Sequence, residues 1–197
     1  MFLRSISIRG FKSFANKSVI KLEPGVTTIV GPNGSGKSNI VDAVLWVLGE
    51  QRPKSLRGST MQDIIFSGSN IKQSLGLAEV TLRLDNNDGA IPIEYNEITI
   101  TRRAYRSGEN EYFLNNTPCR LLDIQEMLSD SGLGREMYSV ISQGKLDNIL
   151  NCKPEARRQL IEGTAGVLKH KERKKRALRK LIATDKNIVR ISDILSE

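Results

Sequence analysis

The stretch GPNGSGKS, Gly31 to Ser38, decides the fold of this 197-residue chain. It matches the pattern GxxxxGK[ST] and lies between an apolar run, Val26 to Val30, and a stretch with helical apolar spacing from Lys37 onward. The run predicts a short buried strand, and the spacing predicts a helix. The predicted apolar face of that helix consists of Ile40, Val41, Val44, Leu45 and Leu48. A strand, a glycine-rich loop and a helix in this order are typical of a phosphate-binding loop.

The residue types of this loop suit an anion. Gly31, Gly34 and Gly36 allow the backbone to curl so that successive N–H groups point inward, and the positive end of the helix dipole adds to the attraction. Lys37 would then place its charge on the β- and γ-phosphates of a nucleotide, and the Ser38 hydroxyl would ligate Mg²⁺. The alternative is a glycine-rich turn that caps a helix, with both side chains solvated.

Composition narrows the class of protein. With 39% hydrophobic and 26% charged residues the chain is ordinary for a globular domain. The start, MFLRSISIRGFKSF, lacks an apolar run of the length that a signal peptide needs, and no stretch approaches the about 20 apolar residues that span a membrane, so we expect a cytoplasmic protein without a membrane partner. Cys119 and Cys152 form no CxxC pair and indicate neither a disulfide framework nor a zinc site.

The formal charge of +8 is concentrated in one segment. Lys169 to Lys180 holds eight lysines and arginines against one glutamate. A polyanion, and above all nucleic acid, is one partner that this predicts. The other interpretation is the solvated face of a long helix whose acidic complement lies on another helix.

Periodicity predicts the remaining elements. Alternating residues indicate strands at Phe2–Ile8, Ser18–Leu22, Ala78–Leu84, Glu97–Thr101 and Glu111–Leu114, with an antiparallel meander around the turn at Asn86–Gly89. Helices are predicted at Leu121–Leu128 and from Pro154 onward, and a short strand at Tyr138–Ser142.

A heptad pattern begins near Ala177. Leu181, Ile188 and Leu195 are seven residues apart, which predicts either the start of a coiled coil or a single amphipathic helix packed on the domain. The pattern continues to Glu197 without a capping signal, so we expect the chain to be a piece of a longer protein. The sequence also lacks four apolar residues followed by Asp, the acidic element that organises Mg²⁺ and water in P-loop ATPases.

Seven short motifs, in order along the chain, resemble the amino-terminal half of a bacterial SMC chromosome-condensation ATPase head. They are GFKSF from Gly10, GPNGSGKSN from Gly31, WVLGEQ from Trp46, SLRG from Ser55, DIIFSGS from Asp63, SGLG from Ser131 and ISQGK from Ile141. The resemblance implies an α/β ABC-type P-loop ATPase half-head with a mixed sheet and an antiparallel β-meander. Residues 1–165 would form the half-head, and residues 166–197 a neck helix that starts a coiled coil.

The resemblance also implies roles for single residues. Lys12 and Ser13 would lie beside the nucleotide phosphates, and Gln143 would join Ser38 around Mg²⁺ and sense the attacking water. Arg57 resembles the arginine finger of the family, and Lys37, Gln143 and Arg57 are the expected catalytic residues. The loop residues expected to contact ATP are Pro32, Asn33, Gly34, Ser35, Gly36, Lys37, Ser38 and Asn39. Without the resemblance, Lys12, Ser13 and Arg57 would be ordinary turn and loop residues.

For the whole protein, the resemblance implies ATP hydrolysis that organises DNA. The carboxy-terminal half of the head would supply the signature and acidic motifs, and two heads would form a homodimer around two ATP·Mg²⁺. A kleisin subunit would bind the neck near Leu181 to Leu195, double-stranded DNA would be the substrate, and the protein would be associated with the nucleoid. Two rivals remain, a related coiled-coil ABC-type DNA-repair ATPase, marked by a CxxC zinc hook elsewhere, and a DNA-tethering scaffold that binds nucleotide without turnover.

Overall fold

The computed structural model describes residues 1–91, 93–130, 154–155, 158, 162 and 167–196. The chain forms two compact units, Met1–Leu146 and Asp147–Glu197, and each is described by itself. The predicted strand at Tyr138–Ser142 lies outside the described residues, and so does the predicted domain boundary at residues 165 and 166, which stays a prediction. Pro154, the predicted helix start, is helical.

The first unit is built on a sheet whose described strands are all antiparallel. In chain order they are β1 (Phe2–Arg9), β2 (Ser18–Lys21), β3 (Leu77–Asp85), β4 (Glu97–Tyr105), β5 (Asn110–Leu114) and β6 (Thr117–Cys119). Their spatial order is β2-β1-β3-β4-β5-β6. The first five confirm the strands predicted at these places. The three residues of β6 are too few to show an alternating pattern, and the sequence did not predict it.

Alternation along the central strands creates one buried face. Ile6 of β1 lies opposite Leu82 of β3, which in turn lies opposite Ile100 of β4, and all three are buried. Since successive side chains of a strand point to opposite faces, this register places one apolar residue per strand in each layer of the core. Helix α1 (Lys37–Val47) contacts β3 and β4 and joins the same core.

The buried side of α1 differs from the predicted apolar face. Ala43, Trp46 and Val47 are fully buried, and the Trp46 ring lies 5.3 Å from that of Phe11. Of the predicted face, Val41 is 39% exposed, whereas the other four residues are buried or pack partly buried against the core, namely Ile40, Val44, Leu45 and Leu48. The spacing of 43, 46 and 47 also fits one helical stripe, and the sheet packs there because Trp46 carries the largest apolar surface while Ala43 allows close approach.

A buried arginine fixes the end of α1. Arg102 of β4 donates from Nη1 to the carbonyl oxygens of Trp46 (2.8 Å) and Glu50 (2.9 Å). Its guanidinium also lies over the rings of Trp46 (4.6 Å) and Tyr112 (5.0 Å). Burial lowers the pKa of this guanidinium from its ordinary value. A cation here offsets the partial negative charge at the carboxyl end of α1, and it joins the Trp46 carbonyl of the last turn to that of Glu50 just beyond the helix.

The prediction of a strand at residues 26–30 is wrong, because the part of the chain that the structure describes has no strand there. These residues form no strand, and Val26 and Val30 are 97% and 85% exposed. A strand needs a hydrogen-bonded neighbour, and no described strand pairs with this segment. The apolar composition that predicted burial is thus present, but nothing in the described part of the chain covers it.

Two more helices are described. Helix α2 (Leu121–Asp130) confirms its prediction and buries Ile124 and Leu128. The second unit contains a 30-residue helix, Val167–Ser196, called the long helix below. Its side chains from residue 174 to 194 are exposed, the apolar Leu181, Ile188 and Ile191 included. No described helix is long and apolar enough to cross a membrane.

Candidate nucleotide-binding site

The glycine-rich loop leads directly into α1. Gly34 (φ 82°) and Gly36 (φ 92°) adopt left-handed backbone, which L side chains rarely enter, so glycine is required at both positions. Gly36 is the N-cap of α1 and makes no side-chain cap hydrogen bond, and the first turn of α1 contains no acidic residue. The positive end of this helix is therefore left without a carboxylate of its own, as an anion-binding end requires.

The side chain of Lys37 folds back onto the glycine-rich loop that precedes it. Its Nζ donates to the carbonyl oxygens of Gly31 (2.6 Å) and Pro32 (2.7 Å). The ammonium is thus held at the loop by two neutral acceptors that a phosphate oxygen could replace. Ser38, next in the chain, is exposed in the first turn of α1. Of the other loop residues expected to contact a nucleotide, Gly36 and Asn39 are half-buried, and the rest are exposed, namely Pro32, Asn33, Gly34 and Ser35.

Ser13 lies against the end of this loop. Asn39 Nδ2 donates to Ser13 Oγ at 2.8 Å, and a Cβ built on Gly36 would lie 2.8 Å from the same oxygen. Any larger residue at position 36 would push Ser13 away. The GFKSF segment, which only the family resemblance had associated with the nucleotide, is therefore in direct contact with the glycine-rich loop.

Lys12 and Arg57 meet at a residue that the sequence analysis missed. Lys12 Nζ and Arg57 Nη2 both donate to Asp42 Oδ2, and Arg57 Nε donates to the same oxygen at 3.1 Å. Arg57 Nη2 also lies 3.4 Å from Asn39 Oδ1. Asp42 could have been noticed in the sequence, because it is the only charged residue between Lys37 and Glu50 in an otherwise apolar helix.

The segment that carries Arg57 is held by two short 3₁₀ helices, Pro53–Leu56 and Met61–Ile64. The second begins with a capping box, in which the N–H of Thr60 donates to Asp63 Oδ2 at 2.7 Å, and the N–H of Ser59 donates to the same oxygen at 2.7 Å. Hydrogen bonds from Thr60 are the main cause that lowers the pKa of the Asp63 carboxyl from its usual value. The carbonyl of Ile64 accepts the Lys12 N–H at 2.7 Å, which joins this segment to the GFKSF loop.

The described geometry brings together Lys12, Ser13, Lys37, Ser38, Asn39 and Arg57 around the start of α1. Gln143, the remaining predicted site residue, lies outside the described residues. No described group of three or more His, Cys, Asp or Glu could hold a metal ion by itself. The residues present still fit Mg²⁺ bound through a nucleotide, since Ser38 offers one hydroxyl oxygen and phosphates supply the rest.

Comparison with known proteins identifies the family. A family model described as the RecF/RecN/SMC N-terminal domain matches residues 2–153. The chain belongs to this family. The chromosome partition proteins Smc of Mycolicibacterium paratuberculosis and of Bacillus subtilis are each 56% identical to it over 197 residues. Those residues are 16% and 17% of the two proteins, so the chain spans about a sixth of the length of these curated relatives.

Solved SMC heads share the fold. A Smc head bound to the C-winged-helix domain of ScpA matches with a TM-score of 0.82 and 36% identity, over 88% of this chain and 53% of that one. The Smc head of Pyrococcus yayanosii, with a coiled coil and joint, matches over 100% of this chain and 38% of that one, with a TM-score of 0.81 and 36% identity. The expected fold, the amino-terminal half of an ABC-type ATPase head, is confirmed.

A third solved structure is of similar extent to this chain. It comes from work on ATP-driven dimerization and DNA-stimulated activation of SMC ATPases, and it matches with a TM-score of 0.76 and 35% identity. The match covers 83% of this chain and 99% of that one. Nearly the whole of that solved chain therefore corresponds to a part of this one.

Proposed function

We propose that this chain is the ATP-binding half of an SMC head, which hydrolyses ATP together with a carboxy-terminal half and a second head and so drives DNA organisation. One observation carries the proposal. The glycine-rich loop, the GFKSF segment and Arg57 lie far apart in the sequence, yet their polar groups converge on the first two turns of α1. A turn that merely caps a helix would need none of these cations.

The residues of this chain would bind and orient the phosphates. Backbone N–H groups of the loop and of the start of α1 would receive phosphate oxygens, and Lys37 would exchange its two carbonyl acceptors for the β- and γ-phosphates. Ser38 would turn its hydroxyl toward the metal. Mg²⁺, when bound, would offset the negative charge of the phosphates.

Two residues would act on the reaction more than on binding. Arg57 would place its planar guanidinium where negative charge builds on the phosphates, a task for which its fixed fork suits it better than lysine. Gln143 would join Ser38 at the metal and orient the attacking water. Neither residue supplies an acidic group, so turnover requires residues from outside this chain.

The relatives support the proposed partners. Smc heads have been solved with domains of ScpA, a kleisin, and ATP-driven dimerization is described for SMC ATPases. For this chain we propose a carboxy-terminal half of the head, a second head in an ATP-dependent homodimer, a kleisin at the neck near Leu181 to Leu195, and double-stranded DNA. The proposed location is the nucleoid in the cytoplasm.

The decisive test of ATP binding is Lys37→Ile in a head assembled from this chain and its carboxy-terminal half. We expect the variant to keep its fold, measured by thermal melting, and to lose ATP binding, measured by calorimetry, because the point charge on the phosphates is gone. Lys72→Ile, at an exposed lysine away from the site, is the matched control and should bind ATP normally. Undiminished ATP binding by folded Lys37→Ile would refute the proposal.

A further inference from the structure

Asp42 is a charged residue at a place that ordinarily excludes charge. It lies in the second turn of α1, and its side chain is only 7% exposed. A carboxylate removed from water costs several kcal/mol unless cations or hydrogen-bond donors compensate it. The donors that compensate Asp42 should therefore explain why a carboxylate is present in this apolar helix.

The compensation comes from two separate loops. Lys12, which follows β1, and Arg57, at the end of the first 3₁₀ helix, both donate to Asp42 Oδ2. Lys12 Nζ also donates to the carbonyl oxygen of Leu56, the residue before Arg57. One carboxylate oxygen thus joins three segments of the chain. The bond from Lys12 to the Leu56 carbonyl links two of these segments a second time, since Leu56 belongs to the Arg57 loop.

The backbone at both cations is unusual. Lys12 has φ 48° and Arg57 has φ 56°, and the other non-glycine residues with positive φ among those described are Asn115 and Asn116. Asparagine tolerates this left-handed region, whereas lysine and arginine rarely adopt it because their Cβ crowds the backbone there. The two residues that reach Asp42 are thus held in a backbone conformation that their types do not favour, and the contacts with Asp42 offset that cost.

The result is a defined place for the Arg57 guanidinium. Its Nη2 lies 3.4 Å from Oδ1 of Asn39 in the first turn of α1, and Asp42 follows one turn further along the same side. The Arg57 side chain is 53% exposed, whereas that of Lys12 is 13% exposed. Without the carboxylate, packing would still confine Lys12, but little would keep Arg57 from turning out into solvent.

We propose that Asp42 is a positioning residue that holds Arg57 beside the phosphate-binding end of α1 and acts on ATP hydrolysis only through that arginine. The inference rests on the proposed function, because it concerns the same site. Asp42 itself is an anion near the phosphates and so opposes nucleotide binding. Its removal should therefore lower turnover without weakening ATP affinity.

The test is a double-mutant cycle in the assembled head. We expect Asp42→Asn to lower kcat at least about fivefold, with KM for ATP unchanged or lower. Arg57→Ala should lower kcat further, and the double variant should be no slower than Arg57→Ala alone, since residues that act through one another are not additive. Glu94→Gln, at an exposed carboxylate in the loop between β3 and β4, is the matched control and should leave both constants unchanged.

A second measurement reads the arginine directly. In the nucleotide-free head, hydrogen exchange of the Arg57 Nε–H, followed by ¹⁵N NMR, should be slow while it donates to Asp42 and at least about tenfold faster in Asp42→Asn. If Asp42→Asn does not fold, Asp42→Glu replaces it in both measurements, because it keeps the charge and displaces the carboxylate by one methylene. The same non-additivity and the same faster exchange are expected.

The outcomes separate this inference from the proposed function. In a head that hydrolyses ATP, losses in kcat that multiply in the double variant, or unchanged exchange of the Arg57 Nε–H, overturn the role of Asp42 alone. A raised KM with unaltered kcat does the same, since it would make Asp42 a binding or purely structural residue. A parental head that neither binds nor hydrolyses ATP overturns the proposed function and this inference with it.

Discussion

Arg57 and Gln143 are the residues whose expected effects fall on turnover. Both would meet only the metal, the water or the charge that develops on the phosphates, so each should stabilise the transition state more than bound ATP. We expect Arg57→Ala and Gln143→Ala to lower kcat about 10-fold to 1000-fold with little change in nucleotide affinity. Steady-state kinetics and calorimetry on the assembled head measure the two quantities. If either variant hydrolyses ATP at the parental rate, the role in turnover assigned to that residue is wrong.

Single residues differ in how far the sequence predicts them. Lys37 and Ser38 follow from a spacing that carries its own physical reason, whereas Lys12, Ser13 and Arg57 were assigned only through family resemblance. Asp42 was not predicted, because a carboxylate within an apolar helix becomes meaningful only when its partners are known. Those partners come from loops 30 residues before it and 15 residues after it, a distance over which no periodic pattern reports contact.

At the scale of elements, β4 offers a test of how α1 is held. Arg102 and Arg103 are neighbours on opposite faces of this strand, and only Arg102 is buried. We expect Arg102→Met to lower the free energy of unfolding by about 2–4 kcal/mol, because the carbonyl oxygens of Trp46 and Glu50 lose a buried, charged donor. Arg103→Met breaks a partly exposed pair with Glu79 and should cost about 1 kcal/mol or less.

Denaturant titrations of the assembled head give both free energies. Equal losses for the two variants would contradict the assignment of Arg102 as the group that fixes the end of α1. A loss at Arg102 without any loss of ATP affinity would further show that the two ends of α1 can be perturbed separately.

The long helix provides a test of the proposed DNA contact. Lys174, Lys175 and Arg176 are exposed at the centre of its basic segment. If they neutralise phosphates, DNA binding should be independent of base sequence, and each contact should add about 0.9 to the slope of log K against log salt. Replacing all three with Gln should reduce that slope by up to about 3, measured by fluorescence anisotropy at several salt concentrations. An unchanged slope favours the interpretation of a solvated helix face.

The sequence predicted a secondary-structure element correctly where its residue pattern and the element that it packs or pairs with lie close together in the chain. The meander from β3 to β5 is an example, since each strand pairs with the next. Residues 26–30 are the opposite case, because their apolar composition was recognised but pairing depends on a neighbour that no described strand provides. The face of α1 was predicted only in part for a related reason, since most of the predicted stripe does pack against the core but a second apolar stripe is buried more completely, and only the position of the sheet shows which.

At the scale of the whole molecule, we expect this chain by itself to bind phosphate groups but not to turn over ATP. It holds a P-loop and its cations, while the acidic residue for the water and the signature motif would come from elsewhere. The exposed Val26 and Val30 should also make it poorly soluble. Purification with and without a co-expressed carboxy-terminal half, followed by phosphate-release assays, checks both statements. Robust turnover by the lone chain would contradict the split-head account.

The strand order has a consequence for how this half-head forms during synthesis. Strand β1 pairs with β3, so that Phe2 lies opposite Asp85, and the described part of the nucleotide-binding site, from Lys12 to Arg57, lies in the chain between these two strands. A ribosome therefore releases the glycine-rich loop, α1 and the Arg57 loop before the strand that closes the sheet beneath them has been made. Until β3 has been made, β1 can pair only with β2. An isolated two-stranded hairpin is at best marginally stable in water. This part of the site, from Lys12 to Arg57, would thus be assembled late, by sheet closure, although its residues are among the first to emerge.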